Sequence, residues 1–573
     1  MFADKVLKNG NIYSFDIKGR TAEGSAVAVT GEKITAVGTD KEIERFIGPE
    51  TDVIECNGNT VMPGFVDAHA HPSIAASIFE NCSLFEITAE KEETSREAAQ
   101  KYVQCMAEFI KKNENQKVYR GTGWNRAYFV SACKNPQLPT RHDLDRICKD
   151  KPVILESYCQ HAIWVNSKAI ELAGLTKDTP DPETGSFTRE SDGYPTGVFF
   201  EYDGTALIKE NMPRYDYTVE QYKKTILRFQ EEIALPKGIL CVNDCLTTEN
   251  AIEAFKQLAQ EKKLKMRFRG VYNFADCRDL DYIDRIDARK GTDNVNDLFE
   301  INTIKTFIEG EPAMLSPYTA QSNEARKLPQ DYCGISFYTD NELAQAYKKA
   351  TETGLQMHIH AMGDKSVKQA IGALSSAQKQ TGKTNRNVIA HLMAVEEGDY
   401  KKIAENNIIA NIQPRWMTYD ADIEDNSILL FGKERAMNLY PNGRFVKAGC
   451  NVAYGTDFPI TDINPFYGIE YAVTRTVSED DEAFEQKYKG KVLGAEPDIR
   501  KDCVSVDDAV KSYTYMGAYQ NFMESYTGSI EAGKSADIII LDKNIEKAAK
   551  EEIHKLKPVM TIFKGDIVYR EKL

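Results

Sequence analysis

The chain has 573 residues, 42% of them hydrophobic and 28% charged, with a formal net charge of −15 at pH 7. This balance excludes a disordered or fibrous chain and leaves ample material for a core. The acidic surplus, with no basic patch to offset it, argues against nucleic acid and anionic membrane as partners and leaves a small neutral or polar molecule as the expected one. Composition leaves the oligomeric state open, a homo-oligomer included.

The first residues, Met1 to Leu7, alternate apolar and polar side chains and lack the apolar centre of a secretory signal. No run reaches the length of a spanning helix. The 12 cysteines are scattered singly rather than spaced as a disulfide scaffold, which suits a reducing compartment, so a cytoplasmic location is expected. Cys241 and Cys245, four apart on one expected strand, read as buried core thiols rather than a thiolate pair, since no second pair lies nearby.

In chain order, residues 5–60 read as short strands such as 25–29 and 33–37, separated by Gly-rich turns. Residues 536–541 and 559–569 have the same style near the other terminus, so the two ends are expected to share one β domain. Between them, apolar strand-like runs alternate with helix-like segments, the pattern of a parallel sheet wrapped by helices. The expected strands are 60–67, 239–245, 267–273, 301–308, 356–360, 387–391, 408–413 and 451–457. Eight such strands close a (β/α)8 TIM barrel, whose catalytic residues sit where strands end. The first two are too far apart for one βα unit, so an insertion is expected there, forming a lid or side domain over the barrel mouth. The expected boundaries are 1–60 and 521–573 for the terminal β domain, 61–75 for the first barrel strand, 76–230 for the insertion and 231–520 for the rest of the barrel.

Four of the eight histidines, His69, His71, His360 and His391, fall at the ends of these strands. His69 and His71 are two apart, so a strand projects both to one side, where they can share one divalent ion. Neutral imidazoles converging from several strand ends make an open site for zinc or a similar ion, with room for water. Asp457 ends the eighth run, where a carboxylate can bind metal and take a proton from activated water. Lys305 lies inside an apolar strand, and two readings stand side by side. Its deprotonated amine can take up carbon dioxide to give a carbamate that bridges two ions, or its ammonium can pair with Glu309 or Glu311. Asp364 reads as a helix cap, His358 as a runner-up ligand, and His142 and His554 as surface residues.

Five motifs, in order, resemble the amidohydrolase superfamily, in its family 3 or YtcJ-like branch. They are Pro63-Gly64-Phe65-Val66-Asp67-Ala68-His69-Ala70-His71, Lys305 ahead of Glu309-Gly310, His360-Ala361-Met362-Gly363-Asp364, Ile389-Ala390-His391 and Gly455-Thr456-Asp457. The resemblance runs over essentially the full length. Glu309-Gly310 departs from it, since relatives often carry Asp-Gly there. The resemblance implies a metal-dependent hydrolase of a non-peptide C–N bond in a small amide, formamide or urea-like molecule. It also implies one or two zinc-like ions on His69, His71, Lys305, His360, His391 and Asp457, with Lys305 carboxylated in the binuclear case and Asp457 carrying the proton. It further implies that the terminal β domain is a small β-sandwich. Within the insertion, Gly123-Trp124-Asn125 and His161-Ala162-Ile163-Trp164-Val165-Asn166 follow the branch's pattern, which implies that Trp124, His161, Trp164 and Asn166 shape substrate binding. Two other readings remain: a heterocycle deaminase using the same activated water, and a non-catalytic binding protein on a retired barrel.

Overall fold

The computed structural model describes residues 2–571, apart from 22–23, 91, 131–132, 158–161, 183–184, 213–216, 310–315, 317, 319, 326–328 and 482–483, and apart from the side chains of 201–203. Eight strands form one all-parallel sheet: β1 (Phe65–Ala70), β2 (Ile239–Thr247), β3 (Arg267–Asn273), β4 (Phe299–Phe307), β5 (Gln356–Ala361), β6 (Val388–His391), β7 (Ile409–Ile412) and β8 (Asn451–Tyr454). Each pairs with its neighbour in sequence order. Every residue of β1, β6 and β7 is buried, as expected of parallel strands covered on both faces.

The helices between strands carry their own start signals. Ahead of α1 (Asp340–Glu352), the Thr339 hydroxyl accepts from the Glu342 amide while the Glu342 carboxylate accepts from the Thr339 amide. The same helix buries Leu343, Ala346, Tyr347 and Ala350, spaced three and four apart along one face. After β5 comes α2 (Asp364–Thr381), stopped by Gly382 in the left-handed conformation.

The sheet nearly closes on itself where β8 ends. The amide of Asp457 donates to the carbonyl of His69 at 2.7 Å, and the amide of His71 donates to the carbonyl of Phe458 at 2.7 Å. Gly455 makes this approach possible, because a Cβ there would lie 2.4 Å from the Cβ of His69 and 2.5 Å from its backbone nitrogen.

Both chain ends contribute to two further sheets. One runs in the order Lys33–Gly38, Ala26–Thr30, Lys5–Lys8, Asp52–Glu55; the other runs Asn11–Ile12, Thr60–Pro63, Ile538–Leu541, Pro558–Phe563, Asp566–Arg570. Residues of both, among them Leu7, Val27, Val29, Val61, Ile538 and Ile562, form one buried cluster. The run expected as a single first barrel strand, 60–67, is divided between sheets: Thr60–Pro63 pairs with Ile538–Leu541, and the barrel begins only at Phe65. The break falls at Pro63-Gly64, where proline cannot donate to a ladder.

The insertion is a separate compact unit, Ile74–Thr225. A six-stranded mixed sheet organises it, in the order Cys82–Ser83, Tyr119–Trp124, Val153–Ser157, Ala162–Val165, Pro195–Phe200, Ser186–Arg189. Sequence reading anticipates the helix at Ser95–Lys112 but treats 178–195 as polar loop. Part of that stretch is instead an edge strand, Ser186–Arg189, paired with Pro195–Phe200. Among the described residues no helix is long and apolar enough to cross a membrane.

Candidate metal centre

The strand ends bring the expected residues into one buried cluster. His69 and His71 leave the end of β1 on one side, with ring centroids 5.5 Å apart. Asp457, just past β8, reaches across: its Oδ1 lies 3.0 Å from His71 Nε2 and 3.3 Å from His69 Nε2. Ligand atoms of His69, His71 and Asp457 all lie within 4.8 Å of one another, and all three residues are buried. Two nitrogens and a carboxylate oxygen at this spacing suit one divalent ion of the zinc type.

Three other expected residues adjoin this trio. Lys305 on β4 is buried, with Nζ 3.4 Å from His69 Nε2. His391, at the end of β6, has its ring 4.8 Å from that of His69 and 4.3 Å from that of His360. Phe307 lies under His360 at 5.1 Å, and Trp416 stacks on His391 at 5.4 Å.

The electrostatics favour ligands ready to bind. Burial, reinforced by the neighbouring Lys305 and other histidines, holds His69 and His358 well below the usual histidine value, and burial with the His360 charge does the same for His391. Their imidazoles are therefore neutral at pH 7, with a lone pair available. Burial pushes Asp457 up, but the bond to His71 and the charges of His71, His391 and Lys305 outweigh it, so the group sits below the ordinary carboxylate value. Burial also lowers Lys305, and among the described residues Lys305 forms no ion pair.

The ion-pair reading of Lys305 with Glu309 meets a different arrangement. Glu309 Oε1 accepts from the amides of Met362 and Gly363 and from the Ser366 hydroxyl, pinning the turn after β5. Glu311 lies outside the described residues. Asp364 is the first residue of α2 rather than its cap; Gly363 takes the cap position, and the Asp364 carboxylate receives Arg435 at 3.0 Å and Ser316 at 3.1 Å.

Backbone conformation is unusual where the site is built. Asp457 has φ 60° and His391 has φ 79°, both in the left-handed region that non-glycine residues seldom adopt. Strain of this kind, which costs on the order of 1–3 kcal/mol per residue, persists where the surroundings over-determine it, and it turns both side chains into the cluster.

Several neighbours of the site were not singled out by sequence reasoning. Gln413 Oε1 lies 3.0 Å from His391 Nδ1, so that nitrogen carries the proton and Nε2 keeps its lone pair. Gln413 ends an expected strand, and the strand-end argument used for the histidines covers it equally. Asp67 accepts from the amides of His69 and Thr456 and from the Thr456 hydroxyl at 2.5 Å, tying β1 to β8, and burial pushes its carboxyl up to about 7. Its signal was its place two residues before His69, on the same side of the strand.

The residues expected to shape substrate binding are placed differently. Trp124 and Trp164 lie in the hydrophobic core of the insertion, and their indole N–H groups donate to the carbonyls of Leu155 at 3.0 Å and Thr140 at 2.8 Å. Asn166 caps the helix Ser167–Leu172: its Oδ1 accepts from the amides of Val153 and Ala169, and its Nδ2 donates to the carbonyls of Cys148 and Lys151. These contacts give the three residues structural work, whatever part they take in substrate binding. His161 lies outside the described residues. Of the two histidines expected at the surface, His142 is exposed, whereas His554 is buried between Glu470 and Asp480, at 2.6 and 3.0 Å.

Comparison with known proteins agrees with this geometry. The profile of the amidohydrolase family matches residues 52–569. The Bacillus subtilis protein YtcJ, itself assigned to the amidohydrolases, is 26% identical over 99% of both chains. An N-substituted formamide deformylase of Arthrobacter pascens is 24% identical over 99% of this chain and 98% of its own. Among solved structures, a metal-dependent hydrolase of Pyrococcus horikoshii superposes with a TM-score of 0.71 at 23% identity, covering 96% of this chain and 99% of that one.

Proposed function

We propose that this chain, which belongs to the amidohydrolase family, hydrolyses a non-peptide C–N bond of a small amide, formamide or urea-like molecule with the help of a zinc-type divalent ion. One observation carries the reading: His69, His71 and Asp457 converge in a buried group at ligand spacing. The likeness to the formamide deformylase, nearly end to end, favours an N-acyl substrate over other C–N compounds.

A divalent ion held there would supply acidified water and a polarised scissile carbonyl. The chain's own groups do the rest. His69, His71 and Asp457 would hold the ion, with His391 and His360 beside them; Gln413 fixes the tautomer of His391. The Asp457 carboxylate, deprotonated at neutral pH, takes the proton of the attacking water and passes it to the leaving nitrogen. Lys305, a buried amine with no ion pair among the described residues, fits carboxylation by carbon dioxide and a bridging role if a second ion sits by His360 and His391. The two terminal sheets fit the expected β-sandwich, and the free thiols fit a reducing cytoplasm.

The test is metal analysis of protein purified without chelator, followed by a screen of N-substituted formamides, acetamides, ureas and amino-heterocycles for released amine or ammonia. Release of amine from formamides or amides supports the proposal. Bound metal with ammonia released only from amino-heterocycles replaces it with the deaminase reading, and less than about half an ion per chain after reconstitution removes it.

A further inference from the structure

Two side chains that the proposed reaction does not use sit against His69. His358, on β5 two residues before His360, is fully buried, and its Nε2 lies 2.9 Å from His69 Nδ1. Cys245, near the end of β2, is also fully buried. Ligand atoms of His69, Cys245 and His358 all lie within 4.8 Å of one another, as do those of His69, His71 and Asp457. A single imidazole therefore stands between two groups of donors, with Nε2 toward Asp457 and Nδ1 toward His358.

A plain hydrogen bond between the two histidines does not account for this pocket. His358 Nδ1 is buried without a hydrogen-bond partner, although buried ring nitrogens are normally satisfied. The strand register places Lys305 directly beside His358 on the neighbouring strand, so the pocket gathers an amine, two imidazoles and a thiol in the interior of the barrel. Nothing in packing calls for that set, since an apolar side chain fills such space without unpaired nitrogen. Two nitrogens and a sulfur are instead a donor set for a borderline or soft cation such as zinc, and a poor one for magnesium or calcium.

We propose that Cys245 and His358, with His69, form a second metal position that shares His69 with the position at His71 and Asp457. It shares His69 with the site described above and so rests on the reading of that site as a metal centre. Binding there releases the Cys245 thiol proton to solvent, because the thiolate is the ligand. When both positions are filled, the ring proton of His69 is released to solvent as well, and the imidazolate serves each ion through one nitrogen. The position is specific to thiophilic ions, which sets it apart from the oxygen-bearing position at Asp457.

Cobalt(II) titration of the metal-free, reduced full-length protein tests this. Wild type is expected to show both the visible bands of low-symmetry cobalt and a near-ultraviolet thiolate-to-cobalt charge-transfer band. In Cys245→Ser the charge-transfer band disappears and bound metal falls by about one ion per chain, while the visible bands of the other position remain. In His71→Asn the charge-transfer band persists. X-ray absorption of the zinc-loaded wild type, which needs no variant to fold, is expected to show a sulfur neighbour at about 2.3 Å. Cobalt bound with visible bands only, no sulfur neighbour in wild type, and equal metal content in Cys245→Ser would overturn the second position while leaving the proposed reaction standing. No cobalt bound at all would overturn both.

Discussion

Among the described residues, histidines are withdrawn from water in two settings. His69, His71, His358 and His391 crowd together at the strand ends, facing one another, Lys305 and the Asp457 carboxylate. His554 is comparably buried, but Glu470 lies 2.6 Å from its Nδ1 and Asp480 lies 3.0 Å from its Nε2, while its ring stacks on Tyr467 at 5.1 Å. Burial is common to both groups and separates nothing. The distinction lies in the partners: an imidazole with a carboxylate at each nitrogen is spent on structure, whereas imidazoles that mainly face one another keep lone pairs for a cation. The comparison breaks if a variant of the first group costs only stability or a variant of the second costs only rate.

The largest effect is expected at Asp457. Asp457→Asn keeps the shape but loses the charge and the proton acceptor, so kcat should fall by about a hundredfold to ten-thousandfold with the fold intact. Asp457 also touches the metal position, so the assay is run at saturating metal to separate lost turnover from lost occupancy. Retention of more than about a tenth of kcat at full occupancy would remove the proton-carrying role.

His554→Ala is the mirror experiment. It strips Glu470, itself buried, of its hydrogen bond to the His554 ring and leaves it the Ser478 hydroxyl and the backbone amide of residue 554. Removing a hydrogen-bond partner from a buried polar group in this way costs about 1–3 kcal/mol, so a lowered Tm with kcat/KM within about twofold of wild type is expected. A large loss of kcat/KM with Tm unchanged would put His554 in the reaction instead.

A smaller effect comes from pH. A proton competes with metal only at a ligand it can occupy, and burial holds His69 and His391 well below the usual histidine value of about 6.5. Asp457 is likewise held low despite its burial, by the His71 bond and its charged neighbours. Acidification from pH 7.5 to 6.0 therefore leaves these ligands unprotonated. Zinc affinity, measured in Cys245→Ser so that no thiol proton intrudes, should fall by less than about tenfold. A fall of about fifteenfold or more, which two imidazoles with the ordinary value of about 6.5 would give over this range, would mean that they titrate as they do in water.

Much of this arrangement is legible in the sequence, because strand geometry is local. His69 and His71 two apart, and Lys305, His360, His391 and Asp457 at the ends of or within apolar runs, follow from side-chain alternation along parallel strands. The structure gathers all six. What escaped depends on partners distant in the chain. His554 looks like a surface residue from its charged neighbours, but Glu470 is 84 positions away. Cys245 looks like a core thiol, and only the folded barrel brings it to His69 and His358. Thr60–Pro63 continues into β1 in pattern, yet its ladder partner is Ile538–Leu541, close to the other terminus. Trp124, Trp164 and Asn166 match a family pattern, but a pattern does not say whether a side chain is kept for a ligand or for the core.

Asn166 extends the same distinction to the insertion, with the smallest effect. Its amide makes four hydrogen bonds, all to backbone: Oδ1 accepts from Val153 and Ala169 at 3.0 and 3.1 Å, and Nδ2 donates to Cys148 and Lys151 at 2.9 Å each. Like His554, it is a buried polar group whose valences are spent on the fold, and none is left for a substrate. Asn166→Ala removes the cap of Ser167–Leu172, a change that typically costs about 0.5–2 kcal/mol, and it frees buried backbone groups of Val153, Cys148 and Lys151. The expected result is a modest loss of stability in the insertion, seen as faster hydrogen exchange at 153 and 167–172, with kcat/KM unchanged on the substrate found by the screen. Asn166→Asp, which keeps the acceptor but loses both donors, should fall between wild type and alanine. A tenfold loss of kcat/KM in Asn166→Ala with exchange at those amides unaltered would reverse the assignment, returning Asn166 to the substrate and leaving hydrogen-bond satisfaction a poor guide to which buried polar residues of this chain serve its chemistry.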